Sequence, residues 1–126
     1  MPLLAEILAV LAALLHVIFF AMESVLFRRA DVWGRFGLHS QLEADVVRPM
    51  AFNQGFYNLF LAVGVVIGVV AAANGTGDAG PAVAVFGCAC MVGAGVVLVA
   101  TNRRFLPAAA VQAGPPLLAI LVTVLA

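Results

Sequence analysis

Lysine is absent from this 126-residue chain, and charge of either sign is scarce. Six arginines, six acidic residues and two histidines leave a formal net charge of zero, with 10% of residues charged. A chain so balanced has no basic footprint for a nucleic-acid backbone and no field to steer a charged substrate. Cysteine is limited to Cys88 and Cys90. At i, i+2 on a helix they point to nearly opposite faces, which excludes joint chelation of a metal and an unstrained disulfide between them. Runs that alternate apolar and polar residues are also missing, which excludes a transmembrane β-barrel. No nucleophile elbow and no CxxC pair occurs, so no cofactor and no metal site are expected.

What the chain has is apolar length. Apolar residues make up 65%, with a mean hydropathy of +1.18. A helix needs roughly 20 apolar residues to cross the hydrocarbon, and residues 3–27, 50–73, 81–100 and 107–126 each qualify. The expected fold is all-α, a four-transmembrane-helix bundle forming one membrane domain over residues 1–126. The first apolar run is long, lacks a basic start and carries Glu6, His16 and Glu23, unlike a removable signal peptide. Arg28, Arg29, Arg35 and Arg48 fall between the first two spans, and Arg103 and Arg104 between the last two. The positive-inside rule then places loop 28–49 in the cytoplasm and both termini outside. Exclusive use of Arg over Lys hints at a GC-rich bacterial genome, and hence at the bacterial cytoplasmic (inner) membrane.

The first span contains neither Gly nor Pro and predicts a straight helix. Loop 28–49 mixes charge with aromatics suited to the headgroup level. Within it, Ser40 as N-cap and Glu43 three residues on predict a short surface helix over 40–47, with Pro49 marking the start of the second span. Gly64, Gly68 and Ala72 form a small-residue ridge that matches Ala89 and Gly93 on the third span. Through Gly64, Gly68 and Gly93 the same pattern would serve a homo-oligomer. The turn at 74–80 makes spans two and three antiparallel neighbours. In the fourth span, which starts at Pro107, Pro115 and Pro116 interrupt the helix and free carbonyls near Val111 and Gln112.

Seven polar side chains stand out against this background: His16, Glu23, Asn53, Gln54, Tyr57, Asn58 and Gln112. At 1.5 Å per residue, Glu23, the amides of the second span and Gln112 all lie about 6 to 14 Å inside the cytoplasmic ends of their helices. His16, seven residues from Glu23, shares its helix face about 10 Å deeper. Polar groups are costly in hydrocarbon, so this level reads as a functional site. Glu23 and His16 are the candidate catalytic acid and base, and Asn53, Gln54, Tyr57, Asn58 and Gln112 the candidate ligand contacts. The competing readings are structural: interhelical hydrogen bonds for Asn53, Asn58 and Gln112, an interfacial anchor for Tyr57, snorkelling of Glu23 to the headgroups or its pairing with Arg28 or Arg29, and a satisfied neutral imidazole for His16.

The run Asn53-Gln54-Gly55-Phe56-Tyr57-Asn58, continued by Leu61, Ala62 and Gly64, resembles the NQGxYNxxLAxG signature of DUF1304, small bacterial integral membrane proteins without an assigned function. His16 and Glu23 in the first span, Phe36-Gly37-Leu38 in the loop and Gln112 before Pro115 match as well. The resemblance covers essentially the whole chain and implies four helices but no activity. A likeness to DoxX-like proteins is architectural only.

The reading these residues support is a cytoplasm-facing polar cavity that binds a small lipophilic molecule within the bilayer, with acid–base chemistry on it. An oligomeric proton-coupled transporter or channel, and an accessory membrane subunit, are the alternatives.

Overall fold

The computed structural model describes residues 1–126, and every regular element is helical. In chain order these are α1 (Leu3–Phe20), a π-helical turn (Ala21–Val25), α2 (Ala30–Trp33), a 3-10 turn (Gly34–Phe36), α3 (Gln41–Ala73), α4 (Ala79–Thr101), a second 3-10 turn (Arg103–Phe105) and α5 (Leu106–Leu125). Four helical stretches are long and apolar enough to cross a membrane: Leu3–Val25, Gln41–Ala73, Ala79–Thr101 and Arg103–Leu125. The chain divides into two compact units, Met1–Leu15 with Leu61–Ala126, and His16–Phe60.

In the larger unit all four spans contribute to one core, and that core is made of small side chains. Ala9, Ala12 and Ala13 come from α1, Ala62, Val65 and Val69 from α3, Ala84, Cys88 and Met91 from α4, and Ala119 from α5. Large apolar residues such as Leu4, Ile7, Leu14, Ile67, Phe86 and Leu118 are exposed instead. This inverts the soluble pattern. A bilayer solvates Leu as well as a core does, so small residues that let backbones approach carry the packing.

The approach of α3 and α4 has a clear register. A Cβ on Gly68 would collide with Ala84, one on Gly80 with Ala72, and one on Gly87 would lie 2.6 Å from Val65 Cγ2. Each pair of positions sums to the same number, as required of antiparallel neighbours. The expected partnership of Gly64 with Ala89 and Gly93 is not formed: nothing within the chain approaches Gly64 or Gly93. The α4 ridge instead runs along Gly80, Ala84, Gly87 and Cys88. A choice between two glycine-bearing faces of one helix depends on which neighbour arrives, and spacing alone does not contain that. On α5, Ala113 packs at 2.9 Å from the place of a Gly95 Cβ.

The turn between α3 and α4 ends α3 in a Schellman motif. Thr76 N–H donates to the Ala71 carbonyl at 3.3 Å and Gly75 N–H to Ala72 at 3.1 Å, with Gly75 left-handed at φ 75°. Gly75, Gly77 and Gly80 have the GxGxxG spacing of dinucleotide loops. Here no strand precedes them, and Gly80 meets the α3 backbone, so the spacing serves turn and packing.

Three boundaries differ from expectation. The first span is not a straight α-helix to residue 27: it widens into the π turn and ends at Val25. Loop 28–49 is largely helical, and α3 runs unbroken for 33 residues through Pro49. Pro49 lacks only the N–H that would reach Asp45, and the surrounding residues are largely exposed, where water can satisfy that carbonyl. Ser40 does cap α3, accepting from Glu43 N–H at 3.2 Å, while Glu43 Oε2 accepts from His39 N–H at 2.8 Å, one residue before the expected capping-box partner. Likewise α5 passes through Pro115 and Pro116 without interruption.

Candidate functional site: a carboxyl–amide pair on a π-helical turn

The smaller unit, His16–Phe60, contains the end of the first span, the α2 region and the first part of α3. Glu23 sits in the middle of the π turn. There Leu26 N–H reaches back five residues to the Ala21 carbonyl at 2.8 Å, the wider closure that defines this winding and that often marks functional sites. The wider winding moves Glu23 off the strict two-turn phase with His16 that an uninterrupted α-helix would give.

Asn58 faces Glu23 from α3. Its side-chain amide Nδ2 donates to Glu23 Oε2 at 2.9 Å, joining residues 35 apart in sequence. Glu23 Oε1 receives no donor from the chain. Beside the pair lies a cleft of about 180 Å³ whose polar residues are Glu23 and Gln54 and whose walls include Phe27, Phe36, Val47 and Met50. Phe27 is 3% exposed and stacks at a tilt on Phe36, centroids 5.5 Å apart. Gly37, left-handed at φ 80°, ends the 3-10 turn that places Phe36 there.

Two supports hold this arrangement. The Ser24 hydroxyl donates to the Phe52 carbonyl at 2.7 Å, and Gly55 leaves the space that Ser24 fills. Phe56 takes edge-on contact from Phe20 at 5.1 Å and tilted contacts from Phe52 and Phe60 at 5.1 and 6.2 Å, geometries that aromatic quadrupoles favour. Sequence reasoning did not single out Ser24 or these rings. The signals were present as a glycine in the interior of a helix and as Phe52, Phe56 and Phe60 at i, i+4, i+8.

Glu23, Gln54 and Asn58 come together at the cleft. Asn53, Gln54 and Tyr57 are exposed, Tyr57 at 64%. His16 is 1% exposed and meets Phe19 edge-on at 5.2 Å. Gln112 is half-buried and belongs to the larger unit. Glu23 does not pair with Arg28 or Arg29, for the chain's one ion pair is Arg29–Asp31 at 2.9 Å. The Arg29 guanidinium holds the exposed Asp31 carboxyl below its ordinary range. No three His, Cys, Asp or Glu side chains gather in a way that could hold a metal ion, and both thiols are free, Cys88 buried and Cys90 half-buried.

The model of the family described as "Protein of unknown function (DUF1304)" matches residues 10–124. No curated protein and no solved structure matches the chain. The match spans nearly all of both units and every one of the seven polar residues, and the chain belongs to the DUF1304 family.

Proposed function

We propose that this DUF1304 member is a multi-pass protein of the bacterial cytoplasmic membrane that binds a small lipophilic molecule carrying a hydrogen-bond donor. Glu23 is the head of the site, and the arginine-bearing loops lie in the cytoplasm. The observation that carries this reading is the Glu23 carboxyl, held by Asn58 through one oxygen at the edge of an apolar cleft while its other oxygen receives nothing from the chain. A polar group in hydrocarbon seeks its full set of partners. A donor on a bound molecule, an amine or a hydroxyl, completes the set, and the phenylalanine walls take its apolar body.

The cleft is smaller than the 300–1,000 Å³ typical of drug-sized ligands, so it suits a compact molecule or the head and first carbons of a longer one. Gln54 supplies a second polar contact. Acid–base chemistry on the bound molecule would fall to Glu23, with His16 of the same span as the second candidate. A second reading, assembly of copies, draws on Gly64 and Gly93, which nothing in the chain covers. Gly68 is already used against α4.

The test is native mass spectrometry of protein extracted gently from its own membrane. Wild type should retain a discrete small-molecule adduct. A Glu23→Gln, Asn58→Ala variant should lose it, as should Val47→Phe, which fills the cleft without touching the carboxyl. An adduct that survives all of these substitutions, or its absence from wild type, would remove the reading.

A further inference from the structure

A second cleft in the same unit has the opposite electrostatic character. It measures about 660 Å³ and is lined by Arg28 and Arg48 together with Ser24, Phe27, Pro49 and Phe52. No acidic side chain lines it. Neither arginine is in an ion pair, since Arg29–Asp31 is the only one in the chain, and Asp45, three residues before Arg48, accepts from Gln41 Nε2 at 2.9 Å. Two uncompensated guanidiniums thus face one space. The Ser24 hydroxyl is committed to the Phe52 carbonyl.

The position of these groups matters as much as their charge. Arg28 lies three residues past Val25, where the first span ends, and Arg48 precedes Phe52 by four residues on α3. Both belong at the headgroup level if the spans cross a bilayer. Two guanidiniums match a phosphodiester, whose oxygens accept paired donors. Phe27, Phe52, Val25 and Pro49 add an apolar wall that a free phosphate would not use and a glycerol backbone with acyl chains would.

We propose that the Arg28–Arg48 cleft is a binding site for one anionic phospholipid, with the phosphate between the two arginines and the acyl region against Phe52. Basic pockets beside transmembrane helices hold anionic headgroups by the same physics. This site shares no polar residue with the Glu23 cleft, so either can fail alone.

The experiment reconstitutes the full chain in vesicles of phosphatidylcholine doped with phosphatidylglycerol and counts retained lipid by native mass spectrometry. Each arginine near an anionic headgroup contributes about fivefold, so wild type should prefer phosphatidylglycerol by roughly thirtyfold. Arg28→Gln and Arg48→Gln should each lose about fivefold of that preference, and the pair of substitutions together nearly all of it. Arg28→Lys with Arg48→Lys, which keeps the charge, should retain most of the preference, and Arg103→Gln with Arg104→Gln should retain all of it. Equal retention of the two lipids by wild type would overturn the proposal. So would an equal loss in the Arg103, Arg104 variant, which would mean surface potential alone. Displacement of phosphatidylglycerol by inorganic phosphate would overturn the lipid assignment in favour of a free-anion site. The phosphate competition needs only wild type, so it stands even if the arginine variants do not fold.

Discussion

Ser24 occupies the space that a side chain at Gly55 would need: a Cβ built there overlaps the Ser24 hydroxyl, the same hydroxyl that donates to the Phe52 carbonyl at 2.7 Å. Glycine in the interior of a helix costs about 0.5–1 kcal/mol relative to alanine. Gly55 accepts that cost because it lets the π turn lie against α3, which brings Glu23 within reach of Asn58.

Gly55→Ala should therefore destabilise the protein by about 1–3 kcal/mol, the usual range for overpacking, despite its better helix propensity. Adding Ser24→Ala removes the overlapping oxygen and should recover part of the loss. Thermal unfolding of the two single variants and the double variant in detergent measures this coupling. Additive losses would show that Ser24 and Gly55 do not depend on one another.

The Glu23–Asn58 bond should respond unequally to its two ends. Glu23→Gln keeps an oxygen for Asn58 to donate to and should change stability little. Asn58→Leu leaves the carboxyl without its donor and should cost about 1–3 kcal/mol. Comparable losses from both, by the same unfolding measurement, would show that the bond does not carry the contact.

In the larger unit, glycines on one helix should behave differently. Gly68→Ala and Gly80→Ala put a methyl into the opposing backbone and should each cost about 1–3 kcal/mol. Gly64→Ala and Gly93→Ala meet open space and should be neutral or stabilise by up to about 1 kcal/mol. A loss at Gly64 or Gly93 that deepens as the protein is diluted would instead reveal a contact between copies.

Asp31 should titrate below the ordinary aspartate value of 3.8, because the Arg29 side chain donates to its charged form. A lowered carboxyl pKa stabilises the folded form above the unfolded midpoint and loses that contribution as pH falls through the folded one. The contribution is thus constant at neutral pH, and its loss is confined to acid, below about pH 4. Carbon-13 chemical shifts of the Asp31 carboxyl follow it, and the Arg29→Gln variant should raise the midpoint toward the ordinary value, with Arg35 and the Asp31 backbone N–H leaving a smaller lowering.

Much of the architecture is legible in the sequence. Four helices, the short antiparallel turn after Ala73 and the Ser40 cap are set by local free energies: apolar length, left-handed glycine at Gly75 and an oxygen placed three residues before an N–H. The errors arose where local rules are weak. Proline at 49, 115 and 116 reads as punctuation, yet each removes only one hydrogen bond, and a helix long enough to cross a bilayer continues through it. Within the polar stripe of α3, only contact with another segment separates the residues: Asn58 is half-buried and donates to Glu23, Gln54 lines the neighbouring cleft from an exposed position, and Asn53 and Tyr57 are exposed.

By itself the sequence determined that this protein is helical and apolar enough to cross a membrane four times, because those properties are sums over neighbouring residues. It also marked Glu23 as out of place in such a chain. Only the tertiary structure decided that Glu23 lies on a π turn, that its partner is Asn58, and that Gly68 and Gly80 rather than Gly64 and Gly93 admit a neighbouring backbone. Each of those outcomes depends on how closely two distant segments approach, and no local pattern encodes that distance.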